Sequence, residues 1–190
     1  MRHPLDLFAD DRARARAAED PMAHLCTVAN TDAEGQPQLR TLVLRDVDDR
    51  LALFINATSP KWPSLQAGFA VMTYWPSVQI QYRLQVTAEP LAAETVHASW
   101  LQRPPAPQRM DWFYQQVQPQ SSVINSREAL LANLLKVEVP APLKAPNNAR
   151  GVLLNIAELE RLDLNQPDGV HLRERFIWND DQWQQTVLVP

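Results

Sequence analysis

The sequence predicts a mainly β fold, in which a closed β-barrel is flanked by helices. Eight or so short apolar segments are separated by turn signals, and helical stretches are inserted between them. The 190 residues are 45% hydrophobic and 21% charged, a composition typical of a globular protein rather than a disordered one. A chain of this length buries a sizeable core without help from disulfides or structural metals.

The first element is a helix over residues 5–20. Leu5, Leu7 and Phe8 begin it, an Ala/Arg-rich stretch of good helix formers continues it, and Pro21 ends it. The apolar residues become sparse after Phe8, which predicts a surface helix docked by its first turns. We therefore divide the chain into an N-terminal helix, residues 1–20, and one main domain, residues 21–190.

Most of the remaining elements are strands. Glycine, proline and aspartate clusters separate them, and residues 179–182 predict a hairpin turn. Ser59 and Pro60 indicate a helix start, with Ser59 as the cap. In the strand at 79–89, one face carries only polar side chains and therefore needs water or a polar ligand. The predicted strands are 24–30, 39–46, 51–56, 69–75, 79–89, 151–155, 159–164, 173–178 and 183–189; the later helices are 92–103, 108–116 and 126–136.

Charge and composition exclude several classes of protein. Eighteen basic and 22 acidic residues give a net charge of −4, which argues against a dedicated nucleic-acid binder or a polybasic membrane anchor. No apolar run approaches the roughly 18 residues of a membrane span, and the start lacks a secretory signal pattern, so we expect a cytoplasmic protein. Cys26, the single cysteine, excludes an internal disulfide and is interpreted as a small buried apolar residue. The four histidines have no metal-ligand spacing, and the familiar hydrolase, P-loop and dinucleotide motifs are absent, so we expect no metal.

A set of cations and amides remains as the candidate site. Arg40 and Arg45 bracket an apolar strand segment, where an arginine is costly unless paired, and a phosphate suits its planar fork. Salt bridges to neighbouring carboxylates, or simple surface exposure, stay open as alternatives. Lys61 lies just inside the predicted helix start, a position that favours an anion. Gln81, on the polar face of its strand, suits a heterocycle with alternating donors and acceptors.

These residues also carry a family resemblance, which covers roughly residues 21–190. The chain resembles the pyridoxamine 5′-phosphate oxidase family, the FMN-binding split barrels, through a series of short motifs in the same order. The motifs are residues 35–45, Asn56 with residues 59–61, Tyr74-Trp75-Pro76, Gln81, Arg103-Pro104, Trp112 with Gln116, and residues 173–176 with 189–190.

The resemblance implies an FMN-dependent oxidoreductase that works as a homodimer with FMN at the subunit interface. Hydride would pass from a small-molecule substrate to flavin N5, with reoxidation by oxygen or another acceptor; no side chain is needed as a catalytic residue. A non-catalytic flavin or pyridoxal-phosphate binding protein is the alternative. The implied cofactor-binding residues are Arg40, Thr41, Leu42, Val43, Leu44, Arg45, Phe54, Ile55, Ser59, Lys61, Gln81, Gln116 and Arg175, the glutamine at 116 coming from the partner subunit. The implied substrate-binding residues are Arg45, Arg103, His171 and Arg173.

The chain departs from the family pattern at both halves of the site. Pro60 replaces a phosphate-binding arginine, while Val117 and Leu162 replace a serine and a tryptophan near the flavin. Ser59 and Arg173 are the residues that could compensate for the lost cation. On the substrate side a tyrosine and a serine are replaced by Ser99 and Pro107. A site that loses hydrogen-bond partners loses affinity for the ligand they recognised, so the implied substrate-binding residues do not by themselves identify the substrate.

Overall fold

The computed structural model describes residues 2–190 and consists of one large antiparallel sheet with helices around it. Seven strands form a continuous path in the order β2-β1-β5-β6-β7-β4-β3, and β8 and β9 extend from β7. The strands are Leu25–Thr31 (β1), Pro37–Val43 (β2), Arg45–Val47 (β3), Arg50–Asn56 (β4), Phe69–Trp75 (β5), Ile80–Pro90 (β6), Ala149–Asp163 (β7), Leu172–Asn179 (β8) and Gln182–Leu188 (β9). The helices are Pro4–Ala17 (α1), Lys61–Ser64 (α2), Ala93–Leu101 (α3), Pro105–Gln116 (α4) and Arg127–Leu135 (α5), with 3₁₀ turns at Pro21–His24 and Leu65–Ala67.

The barrel is split rather than closed. Within residues 2–190, the two ends of the path, β2 and β3, are not paired with each other. The long strand β7 changes neighbours along its length: its first residues pair with β4, and its last six residues pair with β8. The sequence predicted two separate strands here, but the pairing with β6 continues past an irregular point, where Ala157 of β7 is an extra residue opposite Gln85 and Val86.

The alternation predicted for β6 is confirmed. Ile80, Tyr82, Leu84 and Val86 are buried in the main core, and the side chains between them face outward. The tight turn between β8 and β9 also occurs where expected, over residues 179–182.

Helix α1 is docked along its whole length, and not only by its first turns as the apolar pattern predicted. The Arg12 guanidinium is buried and donates to the carbonyl oxygens of Ala23 and Leu44 (2.8 and 2.7 Å) and to Asp46 (2.7 Å). The buried Asp11 carboxylate accepts hydrogen bonds from the Tyr82 hydroxyl (2.6 Å) and from Arg161 Nε (2.8 Å). Polar side chains thus fasten the helix to the barrel where apolar ones are missing.

Helices α3, α4 and α5 form a second, smaller core around Trp100, Trp112, Phe113 and Val137. Helix α4 begins at Pro105, three residues earlier than predicted, because a proline is compatible with the first turn of a helix. This core holds α3 and α4 over the outer end of β4 and forms one wall of the site described below.

Cys26 is buried, and burial raises the pKa of its thiol to about 12. It therefore stays protonated at neutral pH and behaves as the small apolar residue that the sequence indicated. Among residues 2–190 no helix has the length and apolar character needed to cross a bilayer. No cluster of metal-ligating side chains occurs in the same part of the chain.

Candidate functional site

A cavity of about 520 Å³ lies between the end of β2, strand β4 and the helical wall of α3 and α4. Its lining residues are Thr41, Leu42, Val43, Arg45, Phe54, Ile55, Asn56, Lys61, Ser99, Arg103, Pro104, Pro107, Met110, Asp111, Tyr114 and Gln120. A larger number of the predicted site residues meet here than anywhere else among residues 2–190. The cavity is big enough for a ligand of several rings.

Lys61 is the most unusual residue of this cavity. Its side chain is buried, with 7% relative exposure, yet its only hydrogen bond within residues 2–190 goes from Nζ to the Ser59 hydroxyl, at 2.9 Å. Burial, reinforced by the nearby charge of Arg40, lowers the pKa of this lysine. A buried ammonium without a carboxylate is costly, so its position indicates an anionic ligand.

The contact with Lys61 changes the role expected for Ser59. The sequence predicted Ser59 as a helix cap, but Pro60 occupies the cap position and the serine hydroxyl accepts from the lysine instead. The helix that follows has only four residues, so its dipole adds little to anion binding. The charge of the lysine itself is therefore what attracts an anion.

Arg40 is near enough to Lys61 for the two cations to repel each other, although it does not itself line the cavity. It has no carboxylate partner in residues 2–190. Arg40 and Leu42 are the half-buried residues of one face of β2, while Thr41 and Val43 are exposed on the other. A salt bridge was the main alternative explanation for Arg40, and none forms in the described chain. Two neighbouring cations, neither with a carboxylate partner in residues 2–190, match the two negative charges of a phosphate monoester.

The flat walls of the cavity come from β4. Phe54 and Ile55 line it next to the cations, and Phe54 pairs with Gly151 of β7. A Cβ atom at residue 151 would lie 3.0 Å from a ring carbon of Phe54, so glycine allows the ring its present position. The same Cβ would lie 2.8 Å from Leu91 Cδ1, so a larger residue at 151 would crowd both side chains.

The predicted strand over residues 39–46 is interrupted at Leu44. Leu44 is buried in the core, its amide donates to the His24 carbonyl oxygen at 2.9 Å, and it does not line the cavity. Arg45 follows on β3, is exposed, and lines the cavity with no ion pair within residues 2–190. The interruption therefore turns Leu44 inward and leaves Arg45 at the rim.

The helical wall contains an ion pair that the sequence did not reveal. Arg103 Nη1 donates to Asp111 Oδ2 at 2.5 Å, and Trp100 Nε1 donates to the same oxygen at 2.8 Å. Asp111 is 5% exposed, and burial raises its pKa against the opposing effect of Arg103. Arg103, predicted to bind substrate, thus lines the cavity, but its charge is neutralised there.

Tyr114 is a second residue of the wall that sequence reasoning missed. It lies one helical turn after Asp111 and lines the cavity, and burial together with the Asp111 carboxylate raises the pKa of its hydroxyl. The hydroxyl therefore remains protonated at neutral pH and can donate a hydrogen bond. A lone aspartate between apolar helix residues was the available signal for this pair of polar groups.

Another group of predicted residues lies outside the cavity of this chain, on the outward face of β6, β7 and β8. Gln81, Leu162 and Arg173 occupy one row of the ladder, and Arg175 lies in the next row, opposite Glu160. Arg173 makes a two-pronged ion pair with Glu160, with distances of 3.0 and 3.1 Å. It is therefore not free to replace the cation lost at Pro60.

Arg175 differs from Arg173 because its Nε is buried and has no hydrogen-bond partner among residues 2–190. Gln116 uses both ends of its amide on the backbone of Glu138, and the adjacent Val117 is exposed. His171 is exposed before β8 and does not line the cavity. A single chain therefore does not bring Gln81, Gln116, His171, Arg173 and Arg175 to the cations.

The residues of the cavity fit the flavin nucleotide implied by the sequence. The buried Lys61 amine has no carboxylate partner among residues 2–190, and the charge of Arg40 is near enough to act on it. Phe54 with Ile55 and Leu42 provide an apolar surface for a ring system. A split barrel with such a site has the architecture of the FMN-binding split-barrel proteins.

Comparison with known proteins agrees with this class. Pyridoxine/pyridoxamine 5′-phosphate oxidase of Pseudomonas putida (strain W619) is 31% identical over 195 residues, covering 98% of this chain and 88% of the relative. The protein of that name from Saccharopolyspora erythraea is 31% identical, covering 92% of this chain and 81% of the relative. The chain belongs to the pyridoxine/pyridoxamine 5′-phosphate oxidase family. No protein-family model matches the sequence.

Two solved structures share the fold. PhzG from Burkholderia lata 383, in complex with tetrahydrophenazine-1-carboxylic acid, has a TM-score of 0.83 and 23% identity, covering 99% of this chain and 93% of that one. A pyridoxamine 5′-phosphate oxidase-related, FMN-binding protein from Nostoc punctiforme PCC 73102 has a TM-score of 0.78 and 17% identity over the full length of both chains. The mainly β split-barrel fold predicted from the sequence is thereby confirmed.

Proposed function

We propose that the protein is an FMN-dependent oxidoreductase acting on a small molecule. The observation that carries the proposal is Lys61, a buried ammonium that has a hydroxyl but no carboxylate within hydrogen-bond distance in residues 2–190. Such a group destabilises the ligand-free protein, and the binding of an anion explains why it is there. The family of the chain and the FMN-binding protein of the same fold support FMN as that anion.

Each part of the cavity has a role in this proposal. Lys61 and Arg40 bind the phosphate, and Arg45 adds positive charge at the rim. Phe54 and Ile55 pack against the ring system and exclude water from it, as an apolar pocket with a few polar groups does. Bound FMN supplies a two-electron acceptor that takes a hydride from the substrate and is reoxidised by oxygen or another acceptor.

A homodimer is part of the same proposal. Gln81 and Arg175 lie on the outward face of β6–β8 of one chain, and Arg175 Nε is buried there without a partner in residues 2–190. Met72 and Tyr74 on the adjoining strand β5 are partly exposed large side chains, which are suited to cover by a second copy. Contact between two copies would let these groups, together with Gln116, complete the flavin site. Sedimentation of the FMN-loaded protein should give a dimer; a monomer with tightly bound FMN would contradict this arrangement.

Reconstitution with FMN tests the proposed function directly. Protein mixed with FMN and passed through a desalting column should keep the visible flavin absorption at about one FMN per chain. A protein that emerges colourless refutes the proposal. For the loaded protein, anaerobic addition of pyridoxamine, with and without its 5′-phosphate, tests turnover through loss of the oxidised flavin band. Retained FMN that no candidate substrate reduces would favour the non-catalytic binding alternative.

A further inference from the structure

The helical wall of the cavity presents little net charge. Arg103 is its only cation among the lining residues of α3, α4 and the segment joining them, and the Asp111 carboxylate is 2.5 Å away. Asp111 is held in place by the Trp100 indole, so the carboxylate cannot simply turn aside. An incoming dianion would meet a negative charge directly beside the guanidinium it needs.

Building on the proposed FMN site, we propose that this half of the cavity binds a planar, mainly apolar substrate with a single negative charge, such as a ring carboxylate, in preference to a phosphate ester. The charges support this choice. Arg40 and Lys61 match the roughly two negative charges of the FMN phosphate. Arg103 and Asp111 cancel each other, which leaves Arg45 as one positive charge without an acid partner in residues 2–190.

The neutral residues of the wall agree with the charge balance. Pro104, Pro107 and Met110 present apolar surface to the cavity, which favours a ring over a hydrated phosphate. Tyr114 supplies one hydroxyl, kept protonated by its surroundings, that can donate to a carboxylate or carbonyl oxygen. The wall therefore offers the hydroxyl groups of Ser99 and Tyr114 and one flat apolar surface, and the rim offers one cation.

Three probes with the same ring system separate the charge states: 1-naphthoate (one negative charge), 1-naphthyl phosphate (about two) and 1-naphthamide (none). Their affinities for the FMN-loaded protein are measured by isothermal titration calorimetry after the visible spectrum has established loading. Protein that does not retain FMN refutes the proposed function. Protein that retains FMN but does not distinguish the probes refutes only the present proposal. We expect naphthoate to bind about tenfold or more tightly than naphthyl phosphate.

Asp111→Asn removes the negative charge while preserving the shape of the side chain. We expect it to tighten naphthyl phosphate about tenfold and to change naphthoate less, while Asp180→Asn, in the exposed turn between β8 and β9, should change neither. Should Asp111→Asn not fold, Arg45→Gln serves instead: it should weaken naphthoate about tenfold and leave naphthamide unchanged. The proposal is overturned if the wild type binds naphthyl phosphate as tightly as naphthoate, or if it binds none of the probes. It is also overturned if Asp111→Asn leaves the ratio of these two affinities unchanged, or if Arg45→Gln leaves the naphthoate affinity unchanged.

Discussion

Replacing Lys61 by methionine should have opposite effects on cofactor binding and on the stability of the cofactor-free protein. The lysine ammonium is buried and has only the Ser59 hydroxyl as a partner in residues 2–190. A lysine with a structural role stabilises the protein with or without cofactor, whereas a lysine that binds the phosphate of FMN contributes only when FMN is bound. The two measurements together therefore distinguish a binding site from an ordinary buried lysine.

The magnitudes follow from the surroundings of Lys61. A hydrogen bond to a charged group contributes about 1.5–3 kcal/mol, so losing the contact with phosphate should weaken FMN about 10- to 150-fold. Methionine fills a similar volume without a charge, and replacing a buried ion by a well-packed apolar residue is neutral or stabilising by about 1–4 kcal/mol. The cofactor-free variant should consequently be at least as stable as the wild type.

Quenching of flavin fluorescence gives the affinity, and urea denaturation of the cofactor-free protein gives the free energy of unfolding. Lys61→Arg, which keeps the positive charge, should retain most of the affinity, and Lys136→Met, at an exposed lysine after α5, should change neither quantity. Unchanged FMN affinity in Lys61→Met would refute the phosphate site. A loss of more than about 1 kcal/mol of stability without cofactor would show that the lysine is structural.

Three further outcomes are expected. The folded protein holds the Lys61 proton less tightly than the unfolded chain does, so the free energy of unfolding without cofactor should rise as pH increases through the lowered pKa. FMN affinity needs the charged amine and should fall over the same pH range. Lys61→Arg should abolish both trends, measured by denaturation and by fluorescence titration. Gly151→Ala should displace the side chains of Leu91 and Phe54, because its Cβ would lie 2.8 Å from Leu91 Cδ1 and 3.0 Å from a ring carbon of Phe54. We expect a loss of about 1–3 kcal/mol of stability and a measurable loss of FMN affinity; unaltered flavin binding and unfolding would show that both side chains accommodate the methyl group. Arg12→Leu should lower the free energy of unfolding, measured by urea denaturation, by about 3–5 kcal/mol, because the acceptors on Ala23, Leu44 and Asp46 lose their donor. A loss below about 1 kcal/mol would show that water replaces the guanidinium.

The sequence predicted the parts of the fold that depend on local periodicity. The alternation of β6 determines which of its faces is buried, and the structure follows it from Ile80 to Val86. The continuity of β7 was not predictable, because it depends on how β7 pairs with β6 on both sides of the extra residue Ala157. The docking of α1 was underestimated for a similar reason: Arg12 is buried only because Ala23, Leu44 and Asp46, which are distant in sequence, supply its acceptors.

In the candidate site, too, the sequence predicted local features and missed those that depend on contacts distant in sequence. Arg40 and Lys61 could be selected from the sequence because cations in apolar segments are unusual, and in the structure they are near enough for the charge of Arg40 to lower the pKa of Lys61. The pairing of Arg103 with Asp111 depends on how α3 and α4 turn against each other, which residue spacing does not determine. The groups on the outward face, Gln81 and Arg175, lie away from the cations within one chain, so their predicted role depends on a second copy.

Comparing the affinities of FMN and riboflavin is the most direct test of whether Arg40 and Lys61 are placed to bind a phosphate. The two ligands share the ring system and the sugar alcohol, and differ only in the phosphate. Two charge-assisted contacts of about 1.5–3 kcal/mol each predict that the wild-type protein binds FMN at least about 100-fold more tightly than riboflavin. Equal affinity for the two ligands would contradict the account.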